Sequence, residues 1–333
     1  MGKAFKQLKS AAIMMLVAAG LALVVSPAAF GQSREQAPGD NSDYFYIYQT
    51  ALELSGSLYV YVQPDSNSKL PPGSKLAVIE DSLNIGSGNH YVKSGLAVFN
   101  APVQVSGGGV YIGDHILDAS GGRGWAVFNG PVAINHGHLT ARGNGQAIFN
   151  EAVNIYHGGI YLDDMKNNWS AMLFQGPVSI NSGHINLKGG NSATFMAEVR
   201  LKSGGLYLDQ ADSRASVILS AQVSITAGHL KVIGNNKLVF ALSPSMPAGG
   251  FINAATDTFV EIDPACLAID NPGGMLQEGT EIILISGRSI DLLGDKRKIV
   301  TSQGDEFELL ADEKRISARL IKRAGIAQMN YDF

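Results

Sequence analysis

The sequence predicts an all-β chain, folded as a right-handed parallel β-helix (solenoid) of about seven to eight turns with a β-rich C-terminal cap. Three observations support this fold. A short phrase of the type A-V-F-N recurs through the middle of the chain, two further apolar alternations follow each copy, and 39 glycines among 333 residues supply tight turns. One unit repeated at a nearly regular interval indicates that copies of that unit stack on one another.

Each predicted unit holds three short strands. Strands of three or four residues are not stable alone, but each can hydrogen-bond to the same strand of the next turn, about 4.8 Å away. The steps between aligned phrases are 20, 29, 21, 25, 21, 24 and 21 residues, and this variation favours a right-handed helix over a left-handed hexapeptide helix with its strict turn length. An antiparallel sandwich of short strands is the alternative. The aligned residues are Ile79, Phe99, Phe128, Phe149, Phe174, Phe195, Leu219 and Phe240.

The alignment also predicts where side chains face. The phenylalanine of each unit should join one buried column, because each turn presents the same shape to its neighbours. The residue after the ring falls at a corner, where amide side chains in register can hydrogen-bond from turn to turn as a ladder. The predicted ladder positions are Asn100, Asn129, Asn150 and Gln175.

The chain divides into four predicted segments. Residues 1–31 have the form of a secretory signal peptide, with three lysines before the apolar run AAIMMLVAAGLALVV and small residues after it. Residues 32–75 are predicted to form a linker and an N-terminal cap or first turn, 76–244 the β-helix repeats, and 245–333 a C-terminal β-rich capping segment. We expect an exported protein in the periplasm, on the cell surface or outside the cell.

The mature chain is predicted to be acidic and free of a stable membrane span. Loss of the three signal-peptide lysines leaves 22 basic against 29 acidic residues and moves the formal net charge from −4 to −7. An acidic chain is unsuited to nucleic acid or anionic lipid. The apolar run, Ala11 to Val25, is short for a membrane-spanning helix.

The sequence resembles the passenger domains of bacterial autotransporters and related secreted β-helix proteins. The resemblance rests on the signal peptide, on the phrases N-G-x-V-x-I and S-G-G-x-Y-L, and on the tail GTEIILISGRSIDLLGDKRKIVTSQGDEFELLADEKRISARLIK. It implies a β-helix closed by a final hairpin, and specifies function poorly. The C-terminal membrane barrel usual in that family has no counterpart among these residues, since the terminal AQMNYDF supplies one strand-like alternation and a barrel needs many.

Residues suited to catalysis or metal binding are few in the sequence. Acidic residues follow the third strand of alternate units, but without the spacing of a calcium loop, so solvated loop acids are the preferred interpretation. His138, His184 and His229 occupy equivalent places two units apart, about 9.6 Å, which is too far for neighbours to share a zinc ion, and they are interpreted as turn residues. The single cysteine, Cys266, is interpreted as a buried apolar residue. We predict no metal site and no cofactor.

The predicted function is a structural or adhesin-like binding role, without enzymatic activity. Alternation along the third strand places tyrosines on the outside, in a column shared with Thr140, Asn186 and Lys231, where they could stack on sugars or contact a protein. Expected partners are therefore a glycan or a host or neighbouring surface protein; the sequence does not define an oligomeric state. A polysaccharide lyase or hydrolase on a β-helix scaffold is the alternative. The candidate binding residues are Tyr91, Tyr111, Tyr161 and Tyr207, with Asp163 and Asp209.

A competing expectation concerns the loops that follow these tyrosines. Tyr111, Tyr161 and Tyr207 each precede the extra residues of the 29-, 25- and 24-residue steps. Those loops could fold back over the rings, which would make the tyrosines structural and leave no binding surface. Both possibilities are open at the level of sequence.

Overall fold

The part of the chain that can be described runs from residue 74 to residue 324. The computed structural model describes these residues apart from 87–89, 93–94, 114–123, 163–168, 245, 248 and 273, together with the backbone of three earlier strands, 44–48, 52–54 and 58–60. The predicted signal peptide and the predicted polar linker lie outside the described residues.

Ten strands, one from each turn, form the first sheet. They run parallel in the order β1-β4-β7-β10-β12-β14-β16-β19-β21-β23. The sheet therefore holds consecutive turns side by side, as a parallel β-helix requires. Its strands are β1 (Tyr44–Tyr48), β4 (Ser74–Ile79), β7 (Gly95–Phe99), β10 (Gly124–Phe128), β12 (Gln146–Phe149), β14 (Ala171–Phe174), β16 (Ser192–Phe195), β19 (Ser216–Leu219), β21 (Lys237–Ala241) and β23 (Leu267–Asp270).

The second and third strands of the turns pair in the same parallel manner. In four turns they merge into one ten-residue strand with a bend in the middle. These strands are β2 (Leu52–Leu54), β3 (Leu58–Val60), β5 (Leu83–Ile85), β6 (His90–Val92), β8 (Val103–Val105), β9 (Val110–Ile112), β11 (Val132–Ala141), β13 (Val153–Leu162), β15 (Val178–Leu187), β17 (Val199–Leu201), β18 (Gly204–Leu208), β20 (Val223–Val232) and β22 (Ile252–Ile262).

The C-terminal strands form an antiparallel extension. They are β24 (Glu281–Ser286), β25 (Ile290–Leu292), β26 (Lys298–Val300), β27 (Glu306–Ala311) and β28 (Arg315–Lys322). β24 still has parallel pairs with β22 at Ile285, but it pairs antiparallel with β28, which in turn pairs with β27 and β27 with β26. This hairpin-rich segment follows the last parallel strands, and its role as a cap stays a prediction. A short 3-10 turn (Pro264–Cys266) precedes β23.

The parallel β-helix predicted from the sequence is confirmed, and it extends further than the repeated phrase. Residues 44–60 supply strands that pair with β4, β5 and β6, so they form a turn of the helix. β22, β23 and β25 continue the parallel pairing beyond residue 244. The change to antiparallel pairing at β24 thus comes later than the predicted division near 245, and ten stacked strands exceed the predicted seven to eight turns. The handedness stays a prediction from the unit lengths.

The interior of the helix contains the predicted phenylalanine column. Phe99, Phe128, Phe149, Phe174 and Phe195 are all at most 1% exposed. Successive rings stack with centroids 4.7 to 4.9 Å apart and with planes within 8° of parallel. Strand pairing aligns each ring with the next, so the ring spacing equals the spacing of the turns.

The bends between second and third strands depend on glycine. Gly137, Gly158, Gly183, Gly204 and Gly228 have φ between 124° and 140°, a region that side chains disfavour. A Cβ at Gly183 would lie 1.3 Å from the carbonyl oxygen of Gly158 in the preceding turn. The glycines are therefore fixed by both the backbone angle and the stacking of turns.

The corner after the phenylalanine carries part of the predicted amide ladder. Asn129 donates its Nδ2 to Oδ1 of Asn100 at 2.7 Å, Asn150 donates to Asn129 at 2.5 Å, and Asn100 donates to Glu80 at 3.0 Å. Gln175 occupies the same backbone position, since its N–H donates to the carbonyl of Phe149 as that of Asn150 does to Phe128. The ladder is thus confirmed over Asn100, Asn129 and Asn150.

A second group of asparagines, which the sequence reasoning did not identify, lies buried at another corner. Asn191 accepts from the N–H of Ser170 and donates to the carbonyl of Lys188. Asn236 accepts from the N–H of Ala215 and donates to three carbonyls, including that of Ile233. Each side chain satisfies buried backbone groups that a turn would otherwise leave unpaired. In the sequence, these asparagines lie in the similar phrases KGGNS and IGNNK, and that similarity indicates a shared position in the turn.

Candidate functional site

The candidate site is built from two phrases that alternate along the third strands. One phrase places two glycines before a tyrosine, as in HGGIYL around Tyr161; the other places a glycine and a histidine, as in SGHINL around His184. Strand pairing sets these phrases side by side, so that His138, Gly159, His184, Gly205, His229 and Phe259 form one backbone row. Two residues further on, a second row contains Thr140, Tyr161, Asn186, Tyr207, Lys231 and Glu261.

The second row confirms the predicted register of the tyrosines. Tyr111 and Tyr161 both pair with Thr140, and Tyr207 pairs with Asn186 and Lys231. Tyr91 pairs with Tyr111 in the backbone, while its side chain lies outside the described residues. Tyr111, Tyr161 and Tyr207 therefore share one outward-facing row, as the alternation of the third strand predicts.

Glycine in the first row makes room for the next turn. A Cβ at Gly159 would lie 2.1 Å from the carbonyl oxygen of His184, and a Cβ at Gly205 would lie equally close to that of His229. No side chain fits there. The ring of the tyrosine two residues later therefore fills the space between the histidines of the turns on either side.

The result is a continuous series of six rings, which we term the outer ring column. Tyr161 contacts His138 and His184 edge-to-face, with centroids 4.9 and 5.1 Å away. His184 also contacts Tyr207 edge-to-face at 5.5 Å. Beyond it the contacts loosen to 6.1 Å and 6.0 Å. In order, the outer ring column is His138, Tyr161, His184, Tyr207, His229 and Phe259.

One hydrogen bond fixes the centre of the outer ring column. The Tyr161 hydroxyl lies 2.9 Å from Nε2 of His184, and the histidine tautomer decides which group donates. The exposed end differs, because the Phe259 side chain is 50% exposed and is held by one ring contact. The side chains of Tyr161, His184 and Tyr207 are half-buried, so part of each ring is accessible to solvent.

Electrostatics keep the centre of the column uncharged near neutral pH. Burial raises the pKa of Tyr161, and burial with help from Asp209 raises that of Tyr207. Burial lowers the pKa of His184, proximity to His138 lowers it further, and Asp209 opposes both. Tyr161, Tyr207 and His184 thus present neutral hydroxyl and imidazole groups with the carboxylate of Asp209 beside them, a set suited to hydrogen bonding with hydroxyl-rich ligands.

Of the two acidic residues predicted to lie at the binding site, the structure describes Asp209 only. Asp209 is close enough to His184 and Tyr207 to influence both groups, so it belongs to the site. Asp163 lies outside the described residues, as do the loops after Tyr111 and Tyr161. The expectation that those two loops cover their tyrosines therefore stays a prediction. The residues after Tyr207 are described, and that ring remains partly accessible.

The histidines were underestimated by the sequence reasoning. The sequence predicts them to be turn residues, whereas they lie in the strands β11, β15 and β20. His184 and His229 lie between two rings, and His138 contacts Tyr161 at the end of the column. Their signal was the strict exchange of histidine for glycine in alternate units. Among the described residues, no group of three or more His, Cys, Asp or Glu side chains is arranged to hold a metal ion.

Features elsewhere in the molecule are less suited to a site. A shallow, open depression of about 370 Å³ lies on the C-terminal strands, with Arg297, Glu308 and Arg315 in its lining. The Cys266 side chain is buried, as predicted, and desolvation together with Asp263 raises the pKa of its thiol to about 11. Within the described segments, no helix has the length and apolar character needed to cross a membrane.

Comparison with known proteins yields no assignment of family. No protein-family model matches the chain. A search of curated protein sequences likewise gives no significant match. The geometry of the outer ring column therefore carries the functional argument.

Proposed function

We propose that this chain is an exported, non-enzymatic β-helix protein that binds a linear, neutral glycan along the outer ring column. The observation that carries the proposal is the unbroken series of ring contacts from His138 to Phe259. A repeating surface of this kind matches a ligand that itself repeats. The resemblance to secreted passenger domains supports a surface or periplasmic role.

The chemistry of the rings favours sugars. Aromatic side chains combine an apolar body with a polar tip, and sugars present apolar C–H faces together with hydroxyl groups. Tyr161 and Tyr207 lie two turns apart, about 9.6 Å at the spacing of parallel strands, which is close to the length of two linked pyranose rings. We infer that alternate sugar units lie over successive tyrosines, with the chain parallel to the helix axis.

The charge of the chain favours a neutral ligand over an acidic one. The predicted mature chain has 22 basic against 29 acidic residues, and like charge disfavours association with a polyanion. Asp209 beside Tyr207 adds a local negative charge to the same surface. Both features oppose binding of uronate-rich or sulfated polysaccharides.

Binding to a panel of purified linear polysaccharides and their oligosaccharides tests the proposal. We expect affinity to rise with oligosaccharide length until the ligand spans Tyr161 and Tyr207, and to fall in the Tyr161→Ala, Tyr207→Ala double variant. The matched control is Tyr156→Ala, which removes a 50% exposed tyrosine from β13, the strand that also carries Tyr161. Unchanged binding in a folded double variant would contradict the proposal.

One observation supports the second candidate, a carbohydrate-active enzyme. Asp209 acts electrostatically on His184 and Tyr207, which brings a carboxylate, an imidazole and a phenol together. Such groups can serve as general acid and base. Turnover of a polysaccharide that is abolished by Asp163→Asn or Asp209→Asn would replace the binding role with this activity.

Cell fractionation combined with surface proteolysis tests the proposed location. Recovery in the periplasm, in the medium or at a protease-accessible surface agrees with export. Recovery of full-length, unprocessed chain in the cytoplasm contradicts it.

A further inference from the structure

We propose that His136 and His157 form a binding site for one transition-metal ion at the bend between the second and third strands, separate from the outer ring column. The two residues are direct partners in the parallel pairing of β11 with β13. Their imidazole rings stack with centroids 4.8 Å apart, and both side chains are exposed. They are therefore neighbours at the surface, held at the spacing of one turn.

The geometry suits a shared ion. Two imidazole nitrogens on one zinc ion lie at most about 4.2 Å apart, twice the usual Zn–N distance. The planes of the two rings differ by 25°, so the rings converge along one edge. The lone pair of an imidazole nitrogen lies in the plane of its ring, so both rings must turn out of the stacked arrangement to reach a common ion, and the exposure of both side chains leaves room for that rotation.

The backbone conformation at this corner holds the two histidines on adjacent turns. Each histidine directly precedes a bend glycine, Gly137 or Gly158, whose left-handed φ is fixed by the turn below. The two glycines are themselves partners in the strand pairing. The rotation of two side chains is then the main entropy loss on metal binding.

The donor set defines the class of ion. Imidazole nitrogen suits Zn²⁺, Ni²⁺ and Cu²⁺, whereas Ca²⁺ and Mg²⁺ require oxygen donors. Among the described residues this site has two protein ligands, so water molecules would complete the coordination. The site is consequently open, with positions free for a further ligand.

The spacing that admits this pair excludes the other row of histidines. In the row of His138, His184 and His229, the turn between two histidines carries a glycine at that position. Neighbouring histidines are therefore two turns apart, about 9.6 Å. His136 and His157 lie on adjacent turns. His229 is therefore a matched control: an exposed histidine on the same face of the helix without a histidine in the next turn.

Isothermal titration of the full, chelator-treated chain with Zn²⁺ tests the inference. We expect one ion per chain and no response to Ca²⁺. His136→Ala and His157→Ala should each weaken zinc binding about tenfold or more, because each removes one of two ligands. His229→Ala should bind as the unmodified chain does.

A relocated pair gives a sharper test. Ser182 is the partner of His157 in the following turn. The double variant His136→Ala, Ser182→His therefore replaces the pair 136/157 by the pair 157/182 and should restore zinc binding. Circular dichroism checks the fold of each variant.

Three results would overturn the inference. These are no zinc binding by the full chain, binding that survives either His136→Ala or His157→Ala in folded protein, and equal loss in the His229→Ala control. All three concern zinc binding, which is measured separately from glycan binding. His136 and His157 lie outside the outer ring column, and the column residue His229 serves only as the control for zinc binding.

Discussion

The inner phenylalanine column and the outer ring column are two aromatic stacks in one register, and they pack in opposite ways. Inside, five consecutive turns contribute the same ring, and the planes lie within 8° of parallel at 4.7 to 4.9 Å. Outside, tyrosine and histidine come from alternate turns, and the first contacts are edge-to-face, at 79° to 83°. The backbone conformation repeats with every turn, whereas the sequence of side chains in the outer ring column repeats with every second turn.

The difference shows what a parallel β-helix imposes and what it leaves open. In the closed interior the spacing of turns equals the spacing of stacked rings, so one residue type can repeat without limit. On the outer face each tyrosine lies in the second row, and the glycine two residues before it lies in the first row. From His138 to His229 the turns next to a tyrosine supply a histidine in place of the glycine, and Thr140, Asn186 or Lys231 in place of the tyrosine.

Phe149→Ala gives the largest expected effect, because it opens a cavity in the middle of the inner column. We expect a loss of about 3 to 5 kcal/mol in the free energy of unfolding. Phe259→Ala, at the 50% exposed end of the outer column, should cost less than about 1 kcal/mol. Chemical unfolding followed by circular dichroism measures both. Equal losses would show that the two columns contribute alike.

Gly159→Ala tests the close approach that creates the outer column. The added Cβ would lie 2.1 Å from the carbonyl oxygen of His184, so the turns must separate. We expect a destabilisation of about 2 kcal/mol or more. Gly107→Ala is the matched control, since its nearest neighbour would be 3.7 Å away. A neutral result at Gly159 would remove the reason given for the glycine–tyrosine phrase.

Tyr161→Phe isolates the hydrogen bond to His184 while keeping the ring. We expect a loss of about 1 kcal/mol in stability, the usual contribution of one such bond. Tyr207→Phe is the comparison, because the described residues provide its ring contacts to His184 and His229 but no direct bond from its hydroxyl. Thermal unfolding of the two variants should separate them. Equal behaviour would mean that ring packing alone holds the column.

His184→Gln gives the smallest expected effect, visible as a change in pH dependence. Burial lowers the pKa of His184 below its ordinary value of 6.5, so the unfolded chain binds the proton more readily than the folded chain does. The stability linked to neutral His184 is complete above pH 6.5 and is lost as the pH falls from there through the lower pKa of the folded state.

Urea unfolding at several pH values between about 5 and 7.5 measures that dependence. The unmodified chain should lose more stability on acidification than His184→Gln does. His229→Gln controls for the general removal of a histidine from the column. Parallel curves for the unmodified chain and His184→Gln would contradict the assigned burial.

Much of the fold could be predicted from the sequence because a parallel stack is periodic. Each residue meets its counterpart one unit away, so the spacing of the phrase sufficed to predict the column of Phe99 to Phe195 and the ladder at Asn100, Asn129 and Asn150. Alternation along a strand likewise placed Tyr111, Tyr161 and Tyr207 in one outward row. These features could be predicted because the same short strands repeat along the axis of the helix.

Only the tertiary structure decided the features that depend on contacts between unlike positions. The edge-to-face packing of Tyr161 on His138 and His184 joins two rows that the alignment treats separately. Asn236 satisfies backbone groups of two turns at once. The pairing of β24 with β28 joins distant segments, and stacking continues through β22 and β23 after the phrase has faded. Backbone hydrogen bonds maintain the stack there, and they require no particular side chain.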